Sequence, residues 1–225
     1  MIQMKHLCKQ YNQGKENVFQ ALSDVTLQIA ETELVAFVGK SGAGKSTLMH
    51  IMACMDQFYE GEYILNGKSV RECSDKEIAE IRNAAIGIVL QNFALMEDCT
   101  ALDNVLLPME IAGKPRKKER NIRALKILKE VDMDELWDHE VSTMSGGEKQ
   151  RIAIARALVN NPQIIIADEP TGALDSTNSQ VVMDLLKRLN KRGITVIIVT
   201  HDMQIARQCN RIIGMKDGEL CQVDG

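Results

Sequence analysis

Apolar positions along this chain change period twice, and the changes outline a fold. Residues 2–8 alternate loosely, and residues 18–29 add apolar, β-prone positions beyond a turn expected near Asn12-Gln13-Gly14. Leu34-Val35-Ala36-Phe37-Val38 is a continuous apolar run ending on glycine, the pattern of a strand covered on both faces. A helix is predicted over residues 45–55. Glu62-Tyr63-Ile64-Leu65 followed by Asn66-Gly67 predicts a strand and a turn. Ser74-Asp75-Lys76-Glu77 has the spacing of a capping box and predicts a helix start. Residues 86–90 read as another short buried strand. From 92 to 160 the character is mostly helical, with breaks expected at Pro108 and at Gly113-Lys114-Pro115. Strands at 163–167, 194–200 and 211–215 then alternate with helices at 176–191 and 203–208. Lys216-Asp217-Gly218 predicts a closing hairpin with residues 219–223. Such alternation predicts an α/β fold with a parallel sheet, divided by a helical insert. No internal repeat or low-complexity tract interrupts it.

Composition narrows this picture without redirecting it. A chain of 225 residues suits one large domain, or a domain with a subdomain, and 45% hydrophobic content is ample for a core. A net charge of −4 argues against a dedicated nucleic-acid binder, which carries a basic excess. The cysteines Cys8, Cys54, Cys73, Cys99, Cys209 and Cys221 form no C-x-x-C and no zinc-like spacing, so free thiols in a reducing compartment are expected. No apolar leader follows Met1. Runs such as Ile164-Ile165-Ile166-Ala167 fall far short of the ~20 residues of a membrane span, so a soluble, cytoplasmic chain is expected. Arg116-Lys117-Lys118-Glu119-Arg120 reads as a solvated helix start, with contact to a membrane surface or an acidic partner as the alternative.

The candidate chemistry begins at the end of the apolar run. Gly39-Lys40-Ser41-Gly42-Ala43-Gly44-Lys45-Ser46 fits the phosphate-loop pattern G-x-x-x-x-G-K-[ST] between a strand and a helix. Its glycines let backbone N–H groups turn inward, and the helix behind adds a positive end. Lys45 would reach the β- and γ-phosphates and Ser46 would hold Mg²⁺, with Thr47 next in the nucleotide shell. Asp168-Glu169 ends an apolar strand. The aspartate could hold Mg²⁺, and Glu169, expected on the other face of the strand end, could orient and deprotonate a water. His201 follows a strand at the edge where open α/β sheets bind ligands and could donate to a γ-phosphate. Gln91 follows residues 86–90 at the same edge and could join the metal or water shell. Ser145-Gly146-Gly147-Glu148 opens a second helix with a capping serine and exposed N–H groups. Tyr11 is a candidate platform for an adenine ring, worth roughly 1–3 kcal/mol.

With these residues in place, the chain resembles the ATP-binding cassette (ABC) ATPases over essentially its whole length. Tyr11 matches the A-loop aromatic, residues 39–46 Walker A, and Gln91 the Q-loop. Ser145-Gly146-Gly147-Glu148-Lys149-Gln150-Arg151 looks like the signature, and residues 164–168 resemble Walker B with Glu169 as catalytic base. Ala173-Leu174-Asp175 is similar to the D-loop and His201 to the H-loop. The resemblance implies a P-loop NTPase (RecA-like) core over residues 1–91 and 161–225. It adds an N-terminal antiparallel β subdomain and a helical subdomain over 92–160, all one ABC ATPase domain. It further implies Mg²⁺ and ATP as cofactors, transmembrane permease subunits as partners, and a peripheral place on the inner membrane face. Two cassettes would meet head to tail, with ATP between the residue 39–46 loop of one and the Ser145 motif of the other. Two departures stand out: Met144 where leucine is usual, and Glu148 where many members have glutamine. Neither removes the serine hydroxyl or the glycine amides.

The wording of residues 167–176 and 196–202 looks most like the macrolide-exporter and lipoprotein-release subgroup, which suggests export or extraction of a peptide, drug or lipoprotein. A cassette that transduces force to a cell-wall or division complex is the alternative, because the difference would lie in the membrane partner. A nucleic-acid ABC protein is disfavoured: the chain has one cassette, no heptad tract and no zinc spacing. A kinase or GTPase has no need of Ser145-Gly146-Gly147, and no Asn-Lys-x-Asp motif is present.

Overall fold

Alternating burial makes the start of the chain a sheet with one face on the core. In the computed structural model, which describes residues 1–12 and 18–223, β1 (Ile2–Tyr11) pairs antiparallel with β2 (Phe19–Ile29) and β4 (Glu60–Leu65). Ile2, Met4 and Leu7 are buried from β1, and Leu22, Val25, Leu27 and Ile29 from β2. A short β5 (Lys68–Ser69) completes the order β2-β1-β4-β5. The β4–β5 turn is the expected Asn66-Gly67, both left-handed at φ 52° and 79°. Such a turn matches the right-handed twist of its strands. Of the turn expected near Asn12-Gln13-Gly14, Gln13 and Gly14 lie outside the described residues, and Asn12 is left-handed at φ 60°.

The chain divides into two units: Met1–Arg82 with Thr195–Gly225, and Asn83–Ile194. The first unit holds the antiparallel sheet and a second sheet built on β3 (Leu34–Val38). All five β3 residues are buried. Parallel neighbours flank it, β8 (Thr195–Thr200) on one side and β9 (Arg211–Lys216) on the other, and β10 (Glu219–Cys221) closes a hairpin on β9. The hairpin turn carries Asp217 at φ 51° and Gly218 at φ 83°. Helix α1 (Lys45–Met52) buries Leu48, Met49, Ile51 and Met52. It stops before the expected residue 55, where Cys54 turns left-handed. Helix α7 (Met203–Ala206) is capped by Asp202. Ala206 joins Ala36 and Val38 in a small cluster.

The second unit takes up the chain through α2 (Asp75–Ala85), which spans the division. The Ser74 capping box opens α2 as expected, with Glu77 Oε2 accepting from the Ser74 amide at 2.8 Å. Here β6 (Ile86–Val89) pairs parallel with β7 (Ile164–Asp168). Around them stand α3 (Ala101–Ile111), α4 (Lys117–Glu130), α5 (Gly146–Leu158) and α6 (Ser176–Lys191). Helix α6 buries Val182, Met183, Leu185, Leu186 and Leu189 at helical spacing. Helix α5 lies so close on β6 that a Cβ at Gly87 would sit 2.6 Å from the Ala157 carbonyl oxygen. Packing thus groups β6, β7 and α6 with the helices in this unit.

Pro108 does not break the chain as expected, because α3 runs through it to Ile111. A reciprocal capping box at Thr100 and Asp103 fixes the start of α3, and Val105, Leu106 and Met109 bury one side. Together these offset the one hydrogen bond that proline removes. The break falls at the second expected place, where Gly113 is left-handed at φ 67°.

Candidate functional site

The glycine loop between β3 and α1 is shaped by what surrounds it. A Cβ at Gly39 would run into the Met215 carbonyl oxygen of β9, and one at Gly44 would lie 2.5 Å from the Ala21 carbonyl oxygen. Gly42 and Gly44 are left-handed at φ 83° and 97°. Helix α1 then begins with no side-chain cap and no acidic residue in its first turn. Its first N–H groups and positive dipole end thus stand open to an anion. Lys45 folds back over the loop, its Nζ donating to the carbonyls of Gly39 at 2.6 Å and Lys40 at 3.0 Å. Lys40, Ser41, Gly42 and Ser46 are exposed, Thr47 is half-buried and Ala43 is buried.

Strand register brings two more candidates to this loop. Val38 lies opposite Thr200 in the parallel β3–β8 pair. Gly39 and His201 therefore leave neighbouring strands at the same edge, and His201 is exposed there. Leu22 of β2 packs on Gly44 and pairs with Lys9 of β1, two residues before Tyr11. The aromatic end of β1 thus approaches the loop, at about 3.3 Å per residue. Sequence reasoning missed Lys9. It is only 5% exposed, bridges Asp56 at 2.7 Å, donates to the Phe58 carbonyl at 2.6 Å, and places its ammonium 4.8 Å from the Tyr11 ring centroid. One face of that ring is backed by a buried cation.

The second unit gathers the remaining candidates. Val89 lies opposite Ala167 in the β6–β7 pair, so Gln91 and Glu169 each stand two residues beyond matched positions. A Cβ at Gly172 would lie 3.4 Å from the Gln91 amide nitrogen and 3.5 Å from Glu169 Cβ, so the two side chains are neighbours. Asp168 is the last residue of β7. Glu169 corrects an expectation. The chain has already left the strand there, with a left-handed φ of 45°, so strand alternation does not apply to its carboxylate. The Gly172 amide closes this turn onto the Glu169 carbonyl at 3.0 Å.

The Ser145 motif adjoins the Asp175 turn inside this unit. Ser145 caps α5, its hydroxyl donating to Glu148 Oε2 at 2.6 Å and its amide to the same oxygen at 2.8 Å. These bonds hold the Glu148 carboxyl below its ordinary pKa. Glutamate at this position thus completes a capping box. Met144 is buried, the role expected of a leucine. Asp175 caps α6 through the Asn178 amide at 2.8 Å and also accepts from the Asn178 side chain at 2.7 Å, which lowers its pKa. A Cβ at Gly147 would overlap Asn178 Oδ1, and one at Gly146 would lie 3.3 Å from Leu174 Cδ2. The two glycines therefore allow α5 to approach the 173–178 turn, and this packing leaves Gly147 buried rather than exposed as expected. Arg156 is a further residue that sequence reasoning missed. It donates to the carbonyls of Ala94 at 2.6 Å and Phe93 at 2.8 Å, in the left-handed loop just after Gln91.

Known proteins resemble the chain over nearly its whole length. The family model described as ABC transporter matches residues 22–172. The chain belongs to the ABC transporter family. It is 46% identical to the uncharacterized ABC transporter ATP-binding protein MJ0796 of Methanocaldococcus jannaschii, over 98% of this chain and 95% of that protein. It is 43% identical to the macrolide export ATP-binding/permease protein MacB of Pasteurella multocida, over 100% of this chain but 34% of MacB. A dimeric structure of the ATP-binding cassette MJ0796 in a post-hydrolysis state, bound to ADP and Pi, matches with a TM-score of 0.89 at 43% identity, covering 100% of both chains. The ABC cassette fold, with its antiparallel sheet and its helices, is thus common to both. Among the described residues no helix of this cassette is long and apolar enough to cross a membrane.

Proposed function

We propose that this cassette hydrolyses Mg²⁺-ATP and, by ATP-driven dimerisation, powers export or extraction of a peptide, drug or lipoprotein through permease partners. The observation that carries the reading is the loop before α1, an uncapped helix end with Lys45 folded onto its own carbonyls. An arriving polyphosphate would replace those carbonyls as the partner of Lys45 and take the N–H groups of Gly42, Gly44, Lys45 and Ser46, while the Ala43 amide donates to the Lys40 carbonyl at 3.2 Å. Tyr11, backed by Lys9, would stack on adenine. Ser46, Gln91 and Asp168 offer a hydroxyl, an amide oxygen and a carboxylate, the hard oxygen donors that suit Mg²⁺. When bound, the ion would offset charge on the β- and γ-phosphates.

Glu169 would accept a proton from a water as its oxygen attacks the γ-phosphorus. The bond from that phosphorus to the β-bridging oxygen breaks, giving ADP and phosphate. His201 would donate to the γ-phosphate and Gln91 would orient the water. Ser145, Gly146, Gly147 and Glu148 would meet ATP held by a second cassette, with Asp175 beside them. ATP then joins the two copies, and loss of the γ-phosphate lets them part. The permease would hold the dimer on the inner membrane face, and nucleic acid has no part in the cycle. The expected result for Glu169→Gln is loss of phosphate release with ATP affinity kept. Hydrolysis at the parent rate would remove Glu169 from this role.

A further inference from the structure

A strongly charged surface that the ATPase reading leaves unused is the outer face of α4. Residues 114–130 carry eight Lys or Arg against two Glu, +6 in a chain of net charge −4, so the rest of the chain carries −10. Helical spacing sets Lys118, Ile122, Leu125 and Lys129 on one strip, while Ala124, Ile127 and Leu128 bury the opposite side. Ile122 is 61% exposed and Leu125 40%. Lys126 borders the strip, three residues from both Arg123 and Lys129, and like charges at that spacing repel. Among the described residues no carboxylate pairs with Lys117, Lys118, Lys126 or Lys129. Glu130 is engaged by Arg192 at 2.9 Å.

A face stabilised by solvent alone would interleave acids at helical spacing. This one instead sets two aliphatic side chains between unpaired lysines, the composition of a helix lying on an anionic interface. The convex strip offers cations to a flat, continuous array of negative charge, and the described residues leave its aliphatic pair partly exposed, Ile122 more than Leu125. We propose that the Lys118, Ile122, Leu125 and Lys129 face rests on anionic phospholipid, with the lysines at headgroup phosphates and the aliphatic pair in the interface. The contact is separate from the nucleotide residues and adds to whatever hold a permease provides.

The test is co-sedimentation of the full chain with vesicles of phosphatidylcholine containing about one-third phosphatidylglycerol, beside pure phosphatidylcholine, at low and high salt. The parent should bind the anionic vesicles at low salt, lose them at high salt and ignore the neutral ones. Lys118→Gln/Lys126→Gln/Lys129→Gln should bind about a hundredfold more weakly, at roughly fivefold per cation removed. Ile122→Ser/Leu125→Ser should bind several-fold more weakly with its salt dependence retained. The three lysines are exposed and their variant should keep the parent's urea midpoint, while Ile122→Ser/Leu125→Ser, at partly covered positions, should lower it modestly and still unfold cooperatively. Equal binding to neutral vesicles, no binding to anionic ones, or parental binding by the triple variant would overturn the proposal. Capture by soluble polyglutamate without vesicle binding would reassign the face to an acidic protein.

Discussion

Gly147→Ala tests whether the Ser145 motif and the Asp175 turn are locked together. Gly147 lies in regular helix, so alanine would ordinarily stabilise α5 by about 0.5–1 kcal/mol. Here its Cβ would overlap Asn178 Oδ1, with Cγ at 2.7 Å and Cβ at 3.2 Å. Rotating Asn178 moves Oδ1 and Cγ away but leaves its Cβ in place, and breaks the 2.7 Å bond to Asp175. Overpacking costs about 1–3 kcal/mol and the lost hydrogen bond about 1. Against the helical gain, a net loss of about 2 kcal/mol is expected. Urea unfolding measures it, as a lower midpoint with an unchanged slope. In an Asn178→Ala background the same substitution should cost under about 1 kcal/mol, since neighbours couple. A variant as stable as the parent, or one penalised equally in both backgrounds, would refute the close approach.

Arg156→Ala should cost about 2–3 kcal/mol by freeing the Phe93 and Ala94 carbonyls, and Arg156→Lys should restore only part, since an ammonium lacks the fork that reaches both; thermal unfolding of the two variants checks this. The hydrogen bonds from Lys68 and Ser74 lower the Glu77 carboxyl to about 2 from an ordinary 4.5. Its stabilising contribution is therefore present above the unfolded value and lost as pH falls from about 4.5 to 2. Urea midpoints across that window should fall less steeply in Glu77→Gln than in the parent. Burial pushes the Cys54 thiol up to about 11, whereas Cys221 is exposed. Alkylation at mildly alkaline pH followed by mass spectrometry should modify Cys221 first and Cys54 last.

Much of the site was legible because its parts are local. The 39–46 loop sits between a strand and a helix whose patterns are unambiguous, and Ser145 to Glu148 announces its own cap. The antiparallel start and the α6 periodicity read directly from alternation and helical spacing. What escaped depends on contacts distant in sequence. Lys9 looks like any polar strand residue until Asp56 and the Phe58 carbonyl, 47 and 49 residues away, enclose its ammonium. Arg156 finds its acceptors 62 and 63 residues back. Pro108 reads as a break because local propensity cannot register the buried face and cap that carry α3 through it. Strand alternation does not reach Glu169, because the strand ends one residue before it at Asp168. The unpaired charge on α4 is visible in composition, but the exposed Ile122 and Leu125 between the lysines are a fact of packing.

Sedimentation of Glu169→Gln with and without Mg²⁺-ATP, beside the same variant carrying Ser145→Arg, bears most directly on the claim that ATP held by one copy is gripped by the Ser145 motif of another. Glu169→Gln should run near its 25.1 kDa monomer mass alone and as a dimer with ATP. The double variant should stay monomeric while binding ATP with unchanged affinity. A double variant that dimerises as readily with ATP, or that no longer binds ATP as a monomer, would contradict it.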